Sequence, residues 1–342
     1  MAKPHQLAAI APMEAKLVAV LPPEPGWQYE PKWDGFRAIA SRSGEAVDLM
    51  SKSGKSLARY FPEIVAALRA TRTTDYVLDG ELILPVGDIL SFDALQARLH
   101  PAASRIAKLS KETPAQLMLF DCLALDEKVL FYRPLSMRRT AVEAFHGRDG
   151  GARLFLSPCT KTLSRAEAWL AASGGALDGV IAKSINDAYW PGERAMRKFK
   201  QIRTADCVVG GFRRAKSSPE VASLLLGLYD EAGLLNHVGF TSALLEADRP
   251  ALTHQLDALI APPGFTGKAP GGPSRWNGGK ESAWFPVRTE LVVEVRYDQV
   301  TGDRFRHGTG LVRWRPDKAP RQCRMDQLQR ELRPSQLADL AD

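Results

Sequence analysis

The segment Lys32-Trp33-Asp34-Gly35-Phe36-Arg37 sets a lysine at a strand end, ahead of a Gly turn, which can aim an amine into a pocket. An amine attacks only when neutral. With a reference pKa of about 10.4, roughly 0.1% of lysine is neutral near pH 7. Neighbouring cations and burial raise that fraction. Lys198 and Lys200 alternate along a strand pattern, so both face one side. They are expected to depress the Lys32 pKa and to hold phosphate oxygens. Asp79-Gly80-Glu81 puts two carboxylates at a tight backbone position, and Phe120, before Asp121 in an apolar run, offers a ring to stack on a base. Asp178 and Lys183 stand five apart at the ends of the apolar stretch DGVIAK.

These residues need strands to carry them. YEPKWD (29–34), FRAIA (36–40), VDLM (47–50), 76–84, 116–125, 178–184 and 196–201 read as strands. Run 116–125 is nearly all apolar, as in a strand covered on both faces. Helices are expected from Pro62 to about Ala70, at FDALQARLH, and near 135–146 and 164–172. A second part begins near Asp206. ADCVVGGF, SLLLGLY, LLNHVGF, 290–300 and 310–315 are short strands. Segment 241–261 reads as a helix split at Pro250, with Asp248 as N-cap and Leu252, Leu256, Leu259 and Ile260 as its buried stripe. Residues 324–332 suggest a terminal helix, and the Gly/Pro-dense 262–282 reads as a mobile loop. Five short strands with one helix suggest a small β-barrel of OB type.

The 342 residues allow about two domains, and 45% hydrophobic with 25% charged residues is an ordinary globular make-up. No 18-residue apolar run occurs, and the amino terminus makes a poor signal peptide, so a cytoplasmic protein without membrane contact is expected. Four scattered cysteines argue against a zinc site or a disulfide framework. The net charge is +7, and residues 296–333 hold 10 basic against 5 acidic side chains. Such a balance suits a polyanionic partner.

The ordered set KWDGFR, DGE, LFD, DGVIAK and KFK resembles the motif series of the covalent nucleotidyltransferases: DNA ligases, RNA ligases and mRNA capping enzymes. With FRHGTGLVRWRPDKAP (305–320) and RTADCVVGGF (203–212), the chain is similar to compact bacterial ATP-dependent DNA ligases, of the ligase C kind and the ligase module of ligase D. The resemblance covers nearly the whole chain. It implies an α+β fold, with an adenylation domain of antiparallel sheets and flanking helices at 1–203 and an OB-fold barrel at 204–342. The barrel is expected to swing about a hinge near 202–205 between steps.

The resemblance also implies roles. Lys32 would attack the α-phosphate of ATP and carry AMP. Glu30 would help recognise adenine, Phe120 would stack on it, and Glu81 would bind the ribose. Arg37 would contact ribose or the nick phosphate. Asp178 stands where the family usually has glutamate; it would bind Mg2+ or Mn2+, with Glu81 a second metal candidate, and its shorter side chain leaves room for a bridging water. Lys183 belongs to the same motif. Lys198 and Lys200 would hold the α-phosphate, while Arg315, Asp317 and Lys318 would orient pyrophosphate. Lys52, in Ser51-Lys52-Ser53-Gly54, replaces a usual arginine and loses bidentate phosphate geometry. Arg275 with Trp276, Arg304, Arg306 and Arg313 are candidates for DNA backbone contact. The implied partner is nicked double-stranded DNA, with repair proteins as further partners, acting as a monomer near the nucleoid. An RNA ligase, a GTP-using capping enzyme, or a non-catalytic OB-fold nucleic-acid binder are the alternatives.

Overall fold

The computed structural model describes residues 10–87, 89–151, 153–172, 177–200, 203–215, 217–271, 283–298 and 300–328. They fall into two compact units, one ending at residue 201 and the other beginning at 202. Among the described residues no helix is long and apolar enough to cross a membrane.

The first unit is built on two sheets. One has the strand order Ala15–Val18, Met196–Lys200, Gly179–Ser184, Trp27–Pro31. The other runs Leu154–Leu156, Gln116–Leu125, Asp75–Ile83, Phe36–Ser43, Ala46–Ser51, with Lys128–Val129 added beside Gln116–Leu125. Pairing is antiparallel except for two strands. Ala15–Val18 runs parallel to Met196–Lys200, and Leu154–Leu156 parallel to Gln116–Leu125. The helices Pro62–Arg69 and Leu135–Asp149 cover the second sheet, burying Phe61, Ile64, Leu68, Val142 and Phe145 with Leu78 and Leu119. A second apolar cluster brings Ile39, Val77 and Leu123 of that sheet against Met196 and Ile181 of the first. The sheets therefore face each other across the strands that carry the chemistry-bearing residues.

Most expected elements form, and the departures have local causes. The strand expected at 29–34 runs Trp27–Pro31, so residues 32–34 are not strand. A helix at Ala103–Glu112, whose Ile106 is buried, and the strands Ala15–Val18 and Leu154–Leu156 were not foreseen.

In the second unit, strands Arg203–Arg214, Val221–Tyr229, Leu235–Thr241, Val292–Tyr297 and Gly310–Trp314 form a meander of three followed by two. The third and fifth strands close it through a parallel bridge at Thr241 and Thr309. There Thr241 Oγ1 donates to the Thr309 carbonyl (2.9 Å), and the Thr309 amide donates to the Phe240 carbonyl (3.0 Å). The helix Arg249–Ala258 lies between the third and fourth strands, and the interior holds Val208, Leu226, Val238, Leu256 and Val293. Closure, order and helix position are those of an OB barrel.

Helix 241–261 is shorter than expected. Pro250 cannot donate to residue 246 and would clash with its carbonyl, so the helix starts at Arg249 after a 3-10 turn at Glu246–Asp248. Asp248, the last residue of that turn, does occupy the N-cap position, but its side chain makes no capping bond. Leu252, Leu256 and Leu259 are buried, whereas Ile260 lies past the helix end and is exposed. At the chain end, Met325–Gln327 is a 3-10 turn. Residues 329–332, most of the 262–282 loop and residue 202 of the expected 202–205 hinge lie outside the described residues; 203–205 belong to the first barrel strand.

Candidate active site

Lys32 stands just past the strand Trp27–Pro31, where its amide donates to the Gly179 carbonyl (3.0 Å). A Cβ on Gly179 would collide with the Phe199 carbonyl, so only glycine lets these strands meet so closely. Lys32 Nζ forms an ion pair with Asp178 Oδ2. Lys200 Nζ lies 3.6 Å from Asp178 Oδ1, a buried oxygen without a hydrogen bond. Burial works against the Lys32 ammonium. The Asp178 charge and hydrogen bond, helped by Glu81 and Asp34, outweigh it and raise the Lys32 pKa. The expectation that Lys198 and Lys200 depress Lys32 is overturned, because Asp178 pairs with Lys32, sits between it and Lys200, and outweighs the opposing effects. Lys198 is itself the depressed lysine, through burial first and then the charges of Lys32 and Lys200.

Glu30 and Lys183 sit on adjacent antiparallel strands, with Glu30 opposite Ile181 and Gln28 opposite Lys183. They form a buried diagonal ion pair of 2.7 Å, and Gln28 Nε2 donates to Glu30 Oε1 (2.8 Å). Lys183 Nζ also lies 4.4 Å from the centre of the Phe120 ring, and the Arg37 guanidinium 4.5 Å from it. The ring is thus flanked by cations at the edge of a polar, buried cluster.

Arg37 faces Glu81 across the Phe36–Ser43 and Asp75–Ile83 pair, and its guanidinium turns to Asp79. Nε and Nη2 donate to the two Asp79 oxygens, both at 2.6 Å. Asp79 is fully buried and also accepts from the Tyr189 hydroxyl (2.6 Å), which in turn accepts from the Met13 amide (2.8 Å). Burial pushes the Glu81 carboxyl up to about 7 against the pull of Arg37 and Lys32. A Cβ on Gly35 would collide with the Leu82 carbonyl, so glycine is required where the chain leaves Lys32 and enters this strand pair.

Side chains from both sheets line one pocket: Glu30, Lys32, Arg37, Glu81, Phe120, Lys183 and Lys198 all border it. So does Lys52, which pairs with Glu14 at 3.0 Å. Asp178 and Lys200 join through the Lys32 ion pair. Sequence reasoning left out Glu14, Tyr189, and the roles of Asp79 and of the buried Arg138–Asp121 pair (2.8 Å). The available signal was a carboxylate inside each of two apolar strands, since a buried charge demands a partner.

The remaining candidates lie on the barrel unit. Arg315 pairs with Asp206 (2.7 Å) and Asp317 (2.8 Å), and Lys318 Nζ is 3.5 Å from Asp206. Arg315 holds the Asp317 carboxyl down at about 2. Asp206 organises this cluster and was not singled out from sequence. Arg313 is paired with Glu294 at 2.7 Å. Arg304 is exposed and reaches His237, and Arg306 lies beside the same short strand. Arg275 and Trp276 lie outside the described residues.

Among the described residues no group of three metal-ligating side chains occurs. Asp178 and Glu81 are among the carboxylates that bear on Lys32, and one Asp178 oxygen is buried without a hydrogen bond. Two carboxylates fit a magnesium-type ion that takes its other ligands from phosphates and water.

Residues 6–200 match the family described as ATP dependent DNA ligase domain, and 217–318 match the ATP dependent DNA ligase C terminal region. DNA ligase C2 of Mycolicibacterium smegmatis is 46% identical over 338 residues, covering 94% of this chain and 95% of that protein. DNA ligase C of Mycobacterium tuberculosis is 44% identical over 340 residues, covering 94% of each. A solved structure from work on Lig E DNA ligases shares the fold at a TM-score of 0.51 and 15% identity, covering 89% of this chain and 99% of that one.

Proposed function

The chain belongs to the ATP-dependent DNA ligases, and from that premise we propose that it seals nicks in duplex DNA through an adenylate carried on Lys32. The observation that carries the reading is the placement of the Lys32 amine in one pocket lined by the buried Glu30, Lys183 and Phe120 and by further lysines. Glu30, Lys183 and Phe120 suit adenine. Glu81 and Arg37 lie next, where the ribose belongs. Lys198 and Lys200 supply cations for the α-phosphate.

The chemistry is three phosphoryl transfers, which depend on positioning and charge neutralisation. Lys32 Nζ, once deprotonated, bonds to the α-phosphorus as the bond to pyrophosphate breaks. An oxygen of the 5′-phosphate at the nick then takes the AMP, freeing Lys32. The 3′-hydroxyl attacks that 5′-phosphorus, and AMP leaves as the strand closes. Asp178 and Glu81, together with the phosphates, would hold a divalent cation, which would supply charge neutralisation. Asp178 meanwhile aligns the Lys32 amine. Arg315 and Lys318, oriented by Asp206 and Asp317, serve the pyrophosphate leaving group. Lys52, Arg304, Arg306 and Arg313 contact the DNA backbone, and binding weakens with salt. A place in DNA repair, in the cytoplasm and as a monomer, goes with this reading.

Incubation with labelled ATP or GTP, followed by nicked DNA or nicked RNA, tests it. Label on Lys32 from ATP and closure of nicked DNA are expected. Preference for GTP, or closure of RNA alone, would move the chain to the capping enzymes or the RNA ligases.

A further inference from the structure

Carboxylates pair with the cations of the Lys32 pocket. Asp178 meets Lys32 and Lys200, Glu30 meets Lys183, Asp79 meets Arg37, and Glu14 meets Lys52 and Arg194. Asp178, Glu30 and Asp79 are buried. Glu14 is 29% exposed, and its partners Lys52 and Arg194 are 60% and 75% exposed. A carboxylate at the mouth of a pocket for phosphates weakens its pull on them, so its presence there calls for a reason.

The backbone fixes where that carboxylate stands. The Glu14 amide donates to the Glu193 carbonyl (2.7 Å), and the Glu14 carbonyl accepts from the Met196 amide (3.1 Å). One residue earlier, the Met13 carbonyl accepts from Arg37 Nη2 (3.3 Å) and the Met13 amide donates to the Tyr189 hydroxyl (2.8 Å). One residue later, Ala15 begins the strand that runs beside Met196–Lys200. Glu14 is thus tied on both sides to the elements that carry Arg37, Lys198 and Lys200. It borders the same pocket as Lys32, Lys52 and Lys198. Its Oε1 lies 3.0 Å from Lys52 Nζ, and its Oε2 lies 3.7 Å from Arg194 Nε. The bond from Lys52 holds the Glu14 carboxyl below the ordinary carboxylate range, so it is an anion at neutral pH.

Exposed ion pairs of this kind contribute little to stability, because water screens them. A phosphate group, which can take two guanidinium N–H bonds at once, competes with them. Resting on the ligase reading above, we propose that Glu14 is a resident anion, which positions Lys52 and Arg194 at the mouth of the pocket until a substrate phosphate displaces it. That phosphate belongs either to the ATP triphosphate or to the nicked strand. Glu14 is a positioning residue that sets phosphate affinity, and it touches none of the reacting atoms. Its charge opposes retention of a polyanion. This suits a site that must take up and release phosphate groups in each round of three transfers.

The test compares wild type with Glu14→Gln and, as control, Glu112→Gln, an exposed helix carboxylate paired with Lys108. Single-turnover adenylate formation over a range of ATP concentrations gives the half-saturating concentration and the maximal rate. Anisotropy of labelled nicked duplex, added to adenylated protein without divalent cation, gives DNA affinity. Thermal melting reports folding. Glu14→Gln should bind ATP, nicked duplex or both about two- to fivefold more tightly at low salt, the scale of an exposed ion pair. The gain should shrink as salt rises. A gain with ATP alone names the triphosphate as the displacing group, and a gain with duplex alone names the DNA. Glu112→Gln should change neither. In a background of Lys52→Gln with Arg194→Gln, the Glu14 substitution should give no gain. A merely structural Glu14 would instead weaken binding and lower the maximal rate. If Glu14→Gln does not fold, Glu14→Asp, whose shorter side chain draws back from both cations, carries the same readout. Unchanged or weaker binding in the folded variant overturns the proposal. So does an equal gain in Glu112→Gln, or a gain that persists without Lys52 and Arg194. Wild-type protein that forms no adenylate and binds no nicked DNA would instead sink the ligase reading itself.

Discussion

The Lys32 amine and the Asp178 carboxylate form an ion pair, so the nucleophile and the expected metal ligand hold each other before substrate arrives. The carboxylate keeps Lys32 protonated, and burial alone would do the opposite. Formation of the lysyl adenylate should therefore speed up as pH rises. Asp178→Asn removes the group that raises the Lys32 pKa, so the rising limb of that profile should move to lower pH even though the maximum falls. The measurement is the single-turnover rate of adenylate formation against pH. A limb that stays in place would show that Asp178 does not set the Lys32 charge.

Glu81 offers a stability test. Its carboxyl is raised to about 7 from the ordinary 4.5 by burial, which opposes ionisation. A raised folded-state pKa gives stability that is present below the unfolded value and lost as pH climbs through the folded one. The protein should lose stability between about pH 4.5 and 7 through this group, and Glu81→Gln should flatten that part of the curve. Melting temperatures of both proteins over this range decide the matter; parallel curves would contradict it.

Arg37 has a structural duty beside its proposed contact with substrate. It neutralises Asp79, which is fully buried and holds Tyr189 and, through it, the Met13 amide. Arg37→Ala should destabilise the first unit by about 3–5 kcal/mol, the range for stranding one partner of a buried pair. Denaturant unfolding followed by Trp fluorescence would measure it, and a loss below about 1 kcal/mol would mean that water or another cation replaces the guanidinium.

Arg315 separates the first chemical step from the last. Arg315→Ala should slow adenylate formation about a hundredfold, the scale for losing one charge-stabilising donor. Sealing of a nick that already carries AMP should be affected far less. Equal losses in both steps would remove the pyrophosphate role.

Much of this site was legible because its residues lie on short contiguous strands. Glu30 and Lys32 flank Pro31, Lys198 and Lys200 alternate along one strand, and DGVIAK spans another. What local sequence could not show is which charge meets which. The sign of the Lys32 shift depends on Asp178, far along the chain, and the Arg37 partner on a register that sets Phe36–Ser43 beside Asp75–Ile83. Asp206 is similar, since it meets Arg315 only when the barrel strands pair. Ala15–Val18 was missed because its burial pattern has no apolar alternation; it is strand because Met196–Lys200 offers an edge to pair with. At 241–261 the apolar spacing was read correctly for Leu252, Leu256 and Leu259 but not for the exposed Ile260, and the backbone demand of Pro250 decided where the helix began.

The central claim is that a phosphorus–nitrogen bond forms at Lys32. Intact-mass and peptide mass spectrometry after incubation with ATP and magnesium, run beside sealing of a nicked duplex, tests it most directly. Wild type should carry AMP on the Lys32 peptide and close the nick, and Lys32→Ala should do neither. An adenylate on another residue, or nick closure by Lys32→Ala, would contradict the account.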